Sequence, residues 1–153
     1  MASSFLDTSA LVKRYHVEEG TPEVDRRFDD PQQGLIVSRL GFVEMLSALA
    51  TKVRAGVLSF DAHDAARKRF LGDVKNRRLL VVRLLASHYR DAERLIDRHA
   101  KTRRLRTLDA LQLSAALDLH RQGRIDTFVC ADQALCEIAT LVGLATLNPV
   151  AAS

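Results

Sequence analysis

Four acidic residues from distant parts of the chain stand where one edge of a sheet would bring them together. Asp7 directly follows a short apolar run, and Asp132 follows another, at residues 128–130, after one residue. Asp109 lies in the first turn of a predicted helix, and Glu44 lies one turn inside a long one. Clustered carboxylates repel unless a cation neutralises them, and an all-oxygen site suits Mg²⁺ or Mn²⁺. Such a metal activates water and stabilises charge on a phosphodiester.

Three of these carboxylates also have a purely structural interpretation. Asp132 stands before a helix, where its side chain would be a good N-cap. Asp109 would oppose the dipole of its helix, which contributes ~0.3–1 kcal/mol. Asp7 would cap the next helix in competition with Ser9, although a charge at the end of a buried strand needs a partner or water. Position alone leaves both interpretations open for Asp132 and Asp109.

Glu44 has two possible environments on its helix. It lies nearly opposite an apolar stripe with i, i+3, i+4 spacing, so the periodicity favours a solvent-exposed glutamate. The stripe consists of Phe42, Met45, Leu46, Leu49 and Val53. The face that carries Glu44 has small residues, namely Gly41, Ala48, Thr51 and Ala55. Small residues let another backbone approach closely, so the alternative is a helix packed on two sides with Glu44 facing the sheet edge.

Short apolar runs alternate with amphipathic segments along the chain. The runs that predict strands are 4–6, 34–37, 79–82 and 127–130, with an edge strand at 145–147. The segments that predict helices are 9–15, 40–55, 59–78, 87–101, 107–122 and 133–142, with another that starts at Thr21. This alternation is typical of βαβ units, in which a parallel sheet is covered by helices and its apolar strands are buried on both faces. Ligands bind beyond the carboxyl ends of such strands.

Composition narrows the class of protein. The chain has 153 residues, 47% of them hydrophobic and 27% charged, which is ordinary for one globular domain over residues 1–153. A formal net charge of +4 fits a polyanionic partner, but aromatic residues make up only 5%, which disfavours base stacking. The two cysteines form no disulfide framework and no zinc pattern. No signal peptide or membrane-spanning run is evident, so we expect a soluble, cytoplasmic protein.

The sequence resembles that of PIN-domain nucleases in four motifs that occur in order. The motifs are 5–11 (FLDTSAL), 43–46 (VEML), 105–113 (LRTLDALQL) and 128–135 (FVCADQAL). The closing stretch with Gly143-Leu144 and Asn148-Pro149 is similar too. Each motif alone is weak, but the ordered set covers essentially the whole chain. The length and the helical pair over 40–78 look most like VapC-type toxins of bacterial toxin–antitoxin pairs.

The resemblance implies a PIN-like three-layer α/β/α fold with a central, mostly parallel sheet of four to five strands. It also implies a metal-dependent endoribonuclease with an acidic quartet that binds Mg²⁺ or Mn²⁺. The residues that match this quartet are Asp7, Glu44, Asp109 and Asp132. The resemblance thereby assigns Glu44 to the site, which periodicity alone did not do.

Three further residues are implied as supports of the acidic site. Cys130 occupies a position where the family usually has Thr or Ser, whose hydroxyl supports the acidic cluster. A thiol is a weaker hydrogen-bond partner, so we interpret Cys130 as a change that tunes the site without abolishing activity. Thr8 and Ser9 are the other hydroxyl candidates, with helix capping as the alternative for Ser9.

Basic residues are concentrated near the predicted site. An RNA substrate needs such a cationic rim, because an acidic site repels phosphate until metal is bound. The candidates for binding the RNA backbone are Lys13, Arg103, Arg104 and Arg106. The run 67–69 (RKR) is taken as a solvated face, which is the usual role of a charge run.

The apolar stripe of the long helix raises the question of partners. Burial in the core is its simpler interpretation, and an exposed stripe would mark a homodimer or an antitoxin site. By resemblance, the partner would be a small antitoxin that inserts an apolar helix at the acidic site.

Two other classes of function are weighed against the nuclease. A catalytically silent RNA-binding or scaffold PIN domain would keep the fold and the basic rim but hold no metal, and Cys130 is the one feature that favours it. A phospho-aspartate domain built on Asp7 would need a second acidic residue beside it or a Lys on a late strand. Thr8 and Ser9 follow Asp7 instead, and the last strands carry no Lys.

Overall fold

The computed structural model describes residues 2–151, which form a five-stranded sheet with helices on both faces. The strands are β1 (Ser3–Leu6), β2 (Gly34–Ser38), β3 (Leu80–Val82), β4 (Thr127–Val129) and β5 (Thr146–Leu147). They lie in the order β3-β2-β1-β4-β5, and every neighbouring pair is parallel. The expected sheet is confirmed and is parallel throughout. The predicted domain bounds, residues 1 and 153, lie outside the described residues.

The helices fall close to the segments that periodicity predicted. They are α1 (Thr8–Tyr15), α2 (Thr21–Asp29), α3 (Arg39–Arg54), α4 (Phe60–Lys75), α5 (Ala86–His99), α6 (Thr107–Arg121) and α7 (Gln133–Leu141). Within residues 2–151, none of them is both long enough and apolar enough to cross a membrane.

Alternate side chains of the strands build two separate cores, because successive residues of a strand point to opposite faces. Phe5 and Phe128 pack on the face that is covered by α5, α6 and α7. Leu6 and Val129 pack on the other face, under α1 to α4. The three-layer α/β/α arrangement is therefore confirmed.

The central position of β1 fixes where the functional edge lies. Leu6 is in register with Val129 of β4, and the N–H of Asp7 continues the ladder by donating to the Val129 carbonyl at 2.9 Å. On the other side, Phe5 is in register with Ile36 of β2. Because all strands are parallel, the carboxyl ends of β1, β2 and β4 lie side by side, and α1, α3 and α7 begin at that edge.

Two predicted elements differ from the structure. Residues 79–82 were expected to form a strand buried on both faces, but β3 is an edge strand and Leu80 is 44% exposed. The helix expected to run to residue 78 ends at Lys75, because Arg77 adopts a positive φ of 59° and reverses the chain. The Arg78 guanidinium then donates to four backbone carbonyls, those of Phe28, Arg27, Asp30 and Gln33.

The apolar stripe of α3 is part of the core. Met45 and Leu49 are fully buried, and Phe42 and Leu46 pack against the same cluster. Most of the stripe therefore belongs to the core and does not form an exposed patch.

Candidate active site

Asp7 caps the helix that follows it and remains buried at the sheet edge. Its Oδ2 accepts hydrogen bonds from the Ser9 N–H at 3.1 Å and from the Ser9 hydroxyl at 2.6 Å. Ser9 therefore lies inside α1 and is not its cap, contrary to our expectation. Within residues 2–151, all hydrogen bonds to the Asp7 side chain fall on Oδ2, which leaves Oδ1 for a ligand.

The electrostatic environment of Asp7 disfavours its charged form. Burial raises the pKa of Asp7, the hydrogen bonds from Ser9 offset part of this rise, and the charges of Asp109 and Asp132 add to it. Among residues 2–151, no cation forms an ion pair with Asp7. A buried carboxylate with acidic neighbours and no cationic partner is the environment that a metal ion would relieve.

Cys130 and Ser9 both lie next to the Asp7 carboxylate. The Cys130 Sγ is 3.8 Å from Asp7 Oδ2 and 3.7 Å from Ser9 Oγ, and it accepts from the Asp132 N–H at 3.3 Å. The hydrogen bond with Cys136 and burial raise the pKa of the Cys130 thiol, so it keeps its proton. The Ser9 hydroxyl accepts from the Ala131 N–H at 3.0 Å while it donates to Asp7. The serine thus supplies the strong contact and the thiol a weak one.

Glu44 is half-buried, and its carboxylate contacts side chains at the sheet edge. Its Oε1 accepts from Gln112 Nε2 at 2.9 Å and lies 3.4 Å from the Thr8 hydroxyl. Burial raises the pKa of Glu44, the Gln112 hydrogen bond opposes this rise, and the charges of Asp7 and Asp109 reinforce it. The solvent-exposed interpretation from periodicity is therefore wrong, since α3 is packed on both sides, against α1 and α4 and against α6.

Asp109 and Asp132 meet at a single arginine. The Arg106 Nε lies 3.2 Å from Asp109 Oδ2, and one of its terminal nitrogens lies 3.8 Å from Asp132 Oδ2. Asp132 is also the N-cap of α7, since its Oδ1 accepts from the Leu135 N–H at 3.2 Å. The capping interpretation and a role at the site are therefore compatible, because they use different oxygens.

The donor set fits a hard divalent cation. The four side chains offer only carboxylate oxygens. Asp7 lies between β1 and α1, Glu44 on α3, Asp109 on α6 and Asp132 at the start of α7. Within residues 2–151, no three His, Cys, Asp or Glu side chains are close enough to make a preformed metal cage. Their charges nevertheless act on one another, as the raised pKa values of Asp7 and Glu44 show. Mg²⁺ and Mn²⁺ suit such a set, because these ions take oxygen ligands and retain several waters.

Of the four residues predicted to bind RNA, the three arginines are exposed and the lysine is buried. Arg103 is exposed and 3.7 Å from Glu137, Arg104 is exposed, and Arg106 reaches the acidic edge itself. Lys13 does not belong to this surface: its side chain is only 9% exposed and its Nζ is 3.1 Å from Glu18. The expectation that Lys13 contacts RNA is therefore not supported, because burial and its carboxylate partner keep the ammonium from solvent.

Gln112 is a site residue that the motifs did not single out. It is fully buried, one helical turn after Asp109, and contacts Glu44. The available signal was a polar residue at i+3 from an acidic residue, on a helix whose other inward positions are apolar.

Comparison with known proteins agrees with the resemblance of the motifs to PIN domains. The PIN domain family matches residues 4–141. No curated protein matches the chain significantly. Several solved structures are similar to this chain. Because their sequence identities are low, they show a similarity of fold alone. Mycobacterium tuberculosis VapC20, a sarcin-ricin loop cleaving toxin, is 19% identical with a TM-score of 0.63, over 93% of this chain and 96% of that one.

Two further structures are similar at comparable levels. Rickettsia felis VapBC2, bound to a DNA fragment from their promoter, is 13% identical with a TM-score of 0.61, over 95% and 97% of the two chains. FitAcB from Neisseria gonorrhoeae is 15% identical with a TM-score of 0.62, over 95% and 97%. The four motifs, the parallel sheet and the match over most of the length agree, and the chain belongs to the PIN domain family.

Proposed function

We propose that this protein is a divalent-metal-dependent endoribonuclease and the toxin of a toxin–antitoxin pair, acting in the cytoplasm. The observation that carries the proposal is that four carboxylates at the edge where β1 ends act on one another electrostatically, and that Asp7 is buried and has no ion pair within residues 2–151. Membership of the PIN domain family and the fold shared with VapC20, a sarcin-ricin loop cleaving toxin, support it.

Asp7, Asp109 and Asp132 would hold Mg²⁺ or Mn²⁺, with Glu44 completing the set. When bound, the ion would polarise the scissile phosphate and lower the pKa of water. Glu44 orients the attacking water by accepting its hydrogen bond, because its second oxygen accepts none from residues 2–151. Ser9 holds Asp7 in place through two hydrogen bonds to one oxygen.

The RNA backbone would bind along the exposed arginines that precede α6. Arg103 and Arg104 lie in the loop that leads to Asp109, and both are exposed. Arg106 is 63% exposed and already spans two carboxylates, so we propose that it follows the phosphate once the carboxylates are neutralised. Such contacts position RNA without reading its sequence.

A small antitoxin is the proposed protein partner. One of the similar structures, Rickettsia felis VapBC2, carries a name that joins VapB to VapC, and this supports a partner of that kind for this chain. We also propose a homodimer, which size-exclusion chromatography with light scattering tests over a range of concentrations. A monomeric mass at every concentration would contradict the dimer.

The nuclease is tested with purified protein and a mixed RNA substrate. We expect cleavage with Mg²⁺ or Mn²⁺, none in excess EDTA, and none by Asp7→Asn. Asp61→Asn, an exposed carboxylate in the first turn of α4, is the matched control and should cleave normally.

The opposite result has a defined meaning. RNA that is bound but not cut under any metal would favour the silent RNA-binding domain, whose supporting feature is Cys130 in place of a hydroxyl. A denaturing gel of the same sample shows whether a bound antitoxin is the cause instead.

A further inference from the structure

We infer that Gln112 is a positioning residue whose side-chain amide fixes the orientation of Glu44 in the acidic site. The inference rests on the proposed function, since it concerns how this site is held ready for a metal ion. Gln112 lies on α6 and Glu44 on α3, and the two residues are 68 positions apart in the chain. The contact therefore joins the two helices directly behind the sheet edge.

The amide of Gln112 has only one orientation that satisfies its neighbours. Ser38 caps α3, and its Oγ accepts the Gly41 N–H at 2.9 Å. The single proton of the Ser38 hydroxyl is then free to be donated, and Gln112 Oε1 lies 2.6 Å away to accept it. Because Oε1 is the acceptor, Nε2 points the other way and donates to Glu44 Oε1 at 2.9 Å.

Burial makes this orientation rigid. Gln112 and Ser38 are both fully buried, so water does not replace either contact. Nε2 also lies 3.5 Å from the Thr8 hydroxyl, which in turn is 3.4 Å from the same Glu44 oxygen. A closed set of neutral donors thus holds Oε1 of Glu44, and Oε2 accepts no hydrogen bond from residues 2–151.

Gly41 is the residue that lets α3 come close enough for this contact. A Cβ at position 41 would lie 2.8 Å from Gln112 Nε2 and 2.6 Å from Val37 Cγ2. Both distances are shorter than van der Waals contact, so even alanine would displace the Gln112 amide and the Val37 side chain. The backbone of α3 at Gly41 therefore packs directly against the Gln112 amide as well as against the Val37 side chain.

The alternative is that Gln112 merely satisfies its own buried amide. The two roles predict different effects of replacing Gln112. If Gln112 positions Glu44, its replacement weakens metal binding only while Glu44 is present. If Gln112 only satisfies its own amide, the effect of its replacement does not depend on Glu44. Outer residues that orient a metal ligand typically change affinity by ~10–100-fold when they are replaced.

The test measures the affinity for Mn²⁺ alone, by electron paramagnetic resonance of free Mn²⁺, without RNA. Gln112→Met keeps the length and removes the amide, and Gln112→Asn keeps the amide but withdraws it by one methylene. We expect ~10-fold weaker Mn²⁺ binding for Gln112→Met and a similar loss for Gln112→Asn. Ser114→Ala is the control, since Ser114 is equally buried on α6 but its hydroxyl bonds, within residues 2–151, only to the Leu111 carbonyl.

A double-mutant cycle separates the two roles. In a Glu44→Gln background, Gln112→Met should cause no further loss of affinity, because its effect passes through the carboxylate. A loss of equal size in both backgrounds, or a lowered melting temperature with unchanged Mn²⁺ affinity, would overturn the inference. A wild-type protein that binds no Mn²⁺ would overturn the proposed metal site and this inference together. Normal Mn²⁺ binding and cleavage by Gln112→Met would overturn only the inference.

Discussion

Two clusters of buried charge at opposite ends of α1 are built on opposite plans. Past the C-terminal end of α1, one carboxylate lies between two cations: Glu18 accepts from Lys13 at 3.1 Å and from Lys52 at 3.2 Å. At the N-terminal end, Asp7 lies among other carboxylates, and within residues 2–151 Ser9 is its only strong donor. Arg106 pairs with Asp109 and Asp132 at that end, but no cation pairs with Asp7 among the described residues. We therefore call the cluster around Glu18 compensated and the one around Asp7 uncompensated, after the buried carboxylate of each.

The two clusters also shift carboxylate pKa values in opposite directions. Burial alone would raise the pKa of Glu18, but the hydrogen bonds and charges of Lys13 and Lys52 outweigh it and lower the value. Burial raises the pKa of Asp7, and the neighbouring carboxylates raise it further. Compensated charge of this kind serves the fold, whereas uncompensated charge costs stability and is retained where it binds something.

The largest effect expected is that of neutralising the uncompensated cluster. Asp7→Asn should lower the rate of metal-dependent RNA cleavage by at least the ~100-fold typical of changes near a metal ligand. It should also raise the melting temperature without metal by ~2–4 °C, the shift that about 1 kcal/mol gives a domain of this size. Cleavage assays and calorimetry on the same samples measure both, and an inactive variant that is also less stable would contradict the comparison.

Neutralising the compensated cluster should have the reverse outcome. Glu18→Gln leaves the buried Lys13 ammonium without a carboxylate, and we expect a loss of about 1–3 kcal/mol in the free energy of unfolding. RNA cleavage per folded molecule should not change. Urea denaturation measures the loss, with Glu19→Gln as the control because Glu19 is exposed. Equal stability of the two variants would show that the Glu18 pairs contribute nothing.

The pH dependence should separate the clusters further. The folded pKa of Asp7 is raised, so its ionisation lowers stability as the pH rises from the ordinary carboxylate range through the raised value. The folded pKa of Glu18 is lowered, so its contribution is present above its ordinary value and lost as the pH falls through the lowered one.

Melting curves between about pH 3 and pH 7 check this prediction. The gain from Asp7→Asn and the loss from Glu18→Gln should both be greatest at neutral pH and should both shrink toward acid pH. A gain from Asp7→Asn that is independent of pH would show that packing, and not charge, is its cause.

The smallest effect concerns cations that belong to neither cluster. Arg104→Ala should lower the slope of log affinity for RNA against log salt by about 1. Arg103→Ala should lower it less, since Glu137 already faces Arg103 at 3.7 Å. Binding is measured in an Asp7→Asn background so that the RNA stays intact. Arg67→Ala, on an exposed face of α4, should leave the slope unchanged.

The sequence was informative wherever a residue's role depends on its own strand or helix. The apolar runs before Asp7 and Asp132 placed both at the carboxyl edge, because parallel strands end together. Periodicity failed for Glu44, because a helix packed on two sides has no single buried face. Lys13 was misplaced because its burial depends on Glu18 and Lys52, one of which is 39 positions away. Gln112 was missed because its partners, Ser38 at the end of β2 and Glu44 on α3, are distant from it in the chain.

The place of β1 in the sheet also sets when the acidic edge is completed during synthesis. β1, the central strand, is synthesised before both of its neighbours, β2 and β4, and β4 follows it by more than 120 residues. Such long-range pairing forms late, since domains fold as their segments become available. Until β4 and Asp132 have emerged, Asp7 lacks one side of its sheet and one of its acidic neighbours. Under the proposed function, the acidic site is therefore completed only after most of the chain has been synthesised.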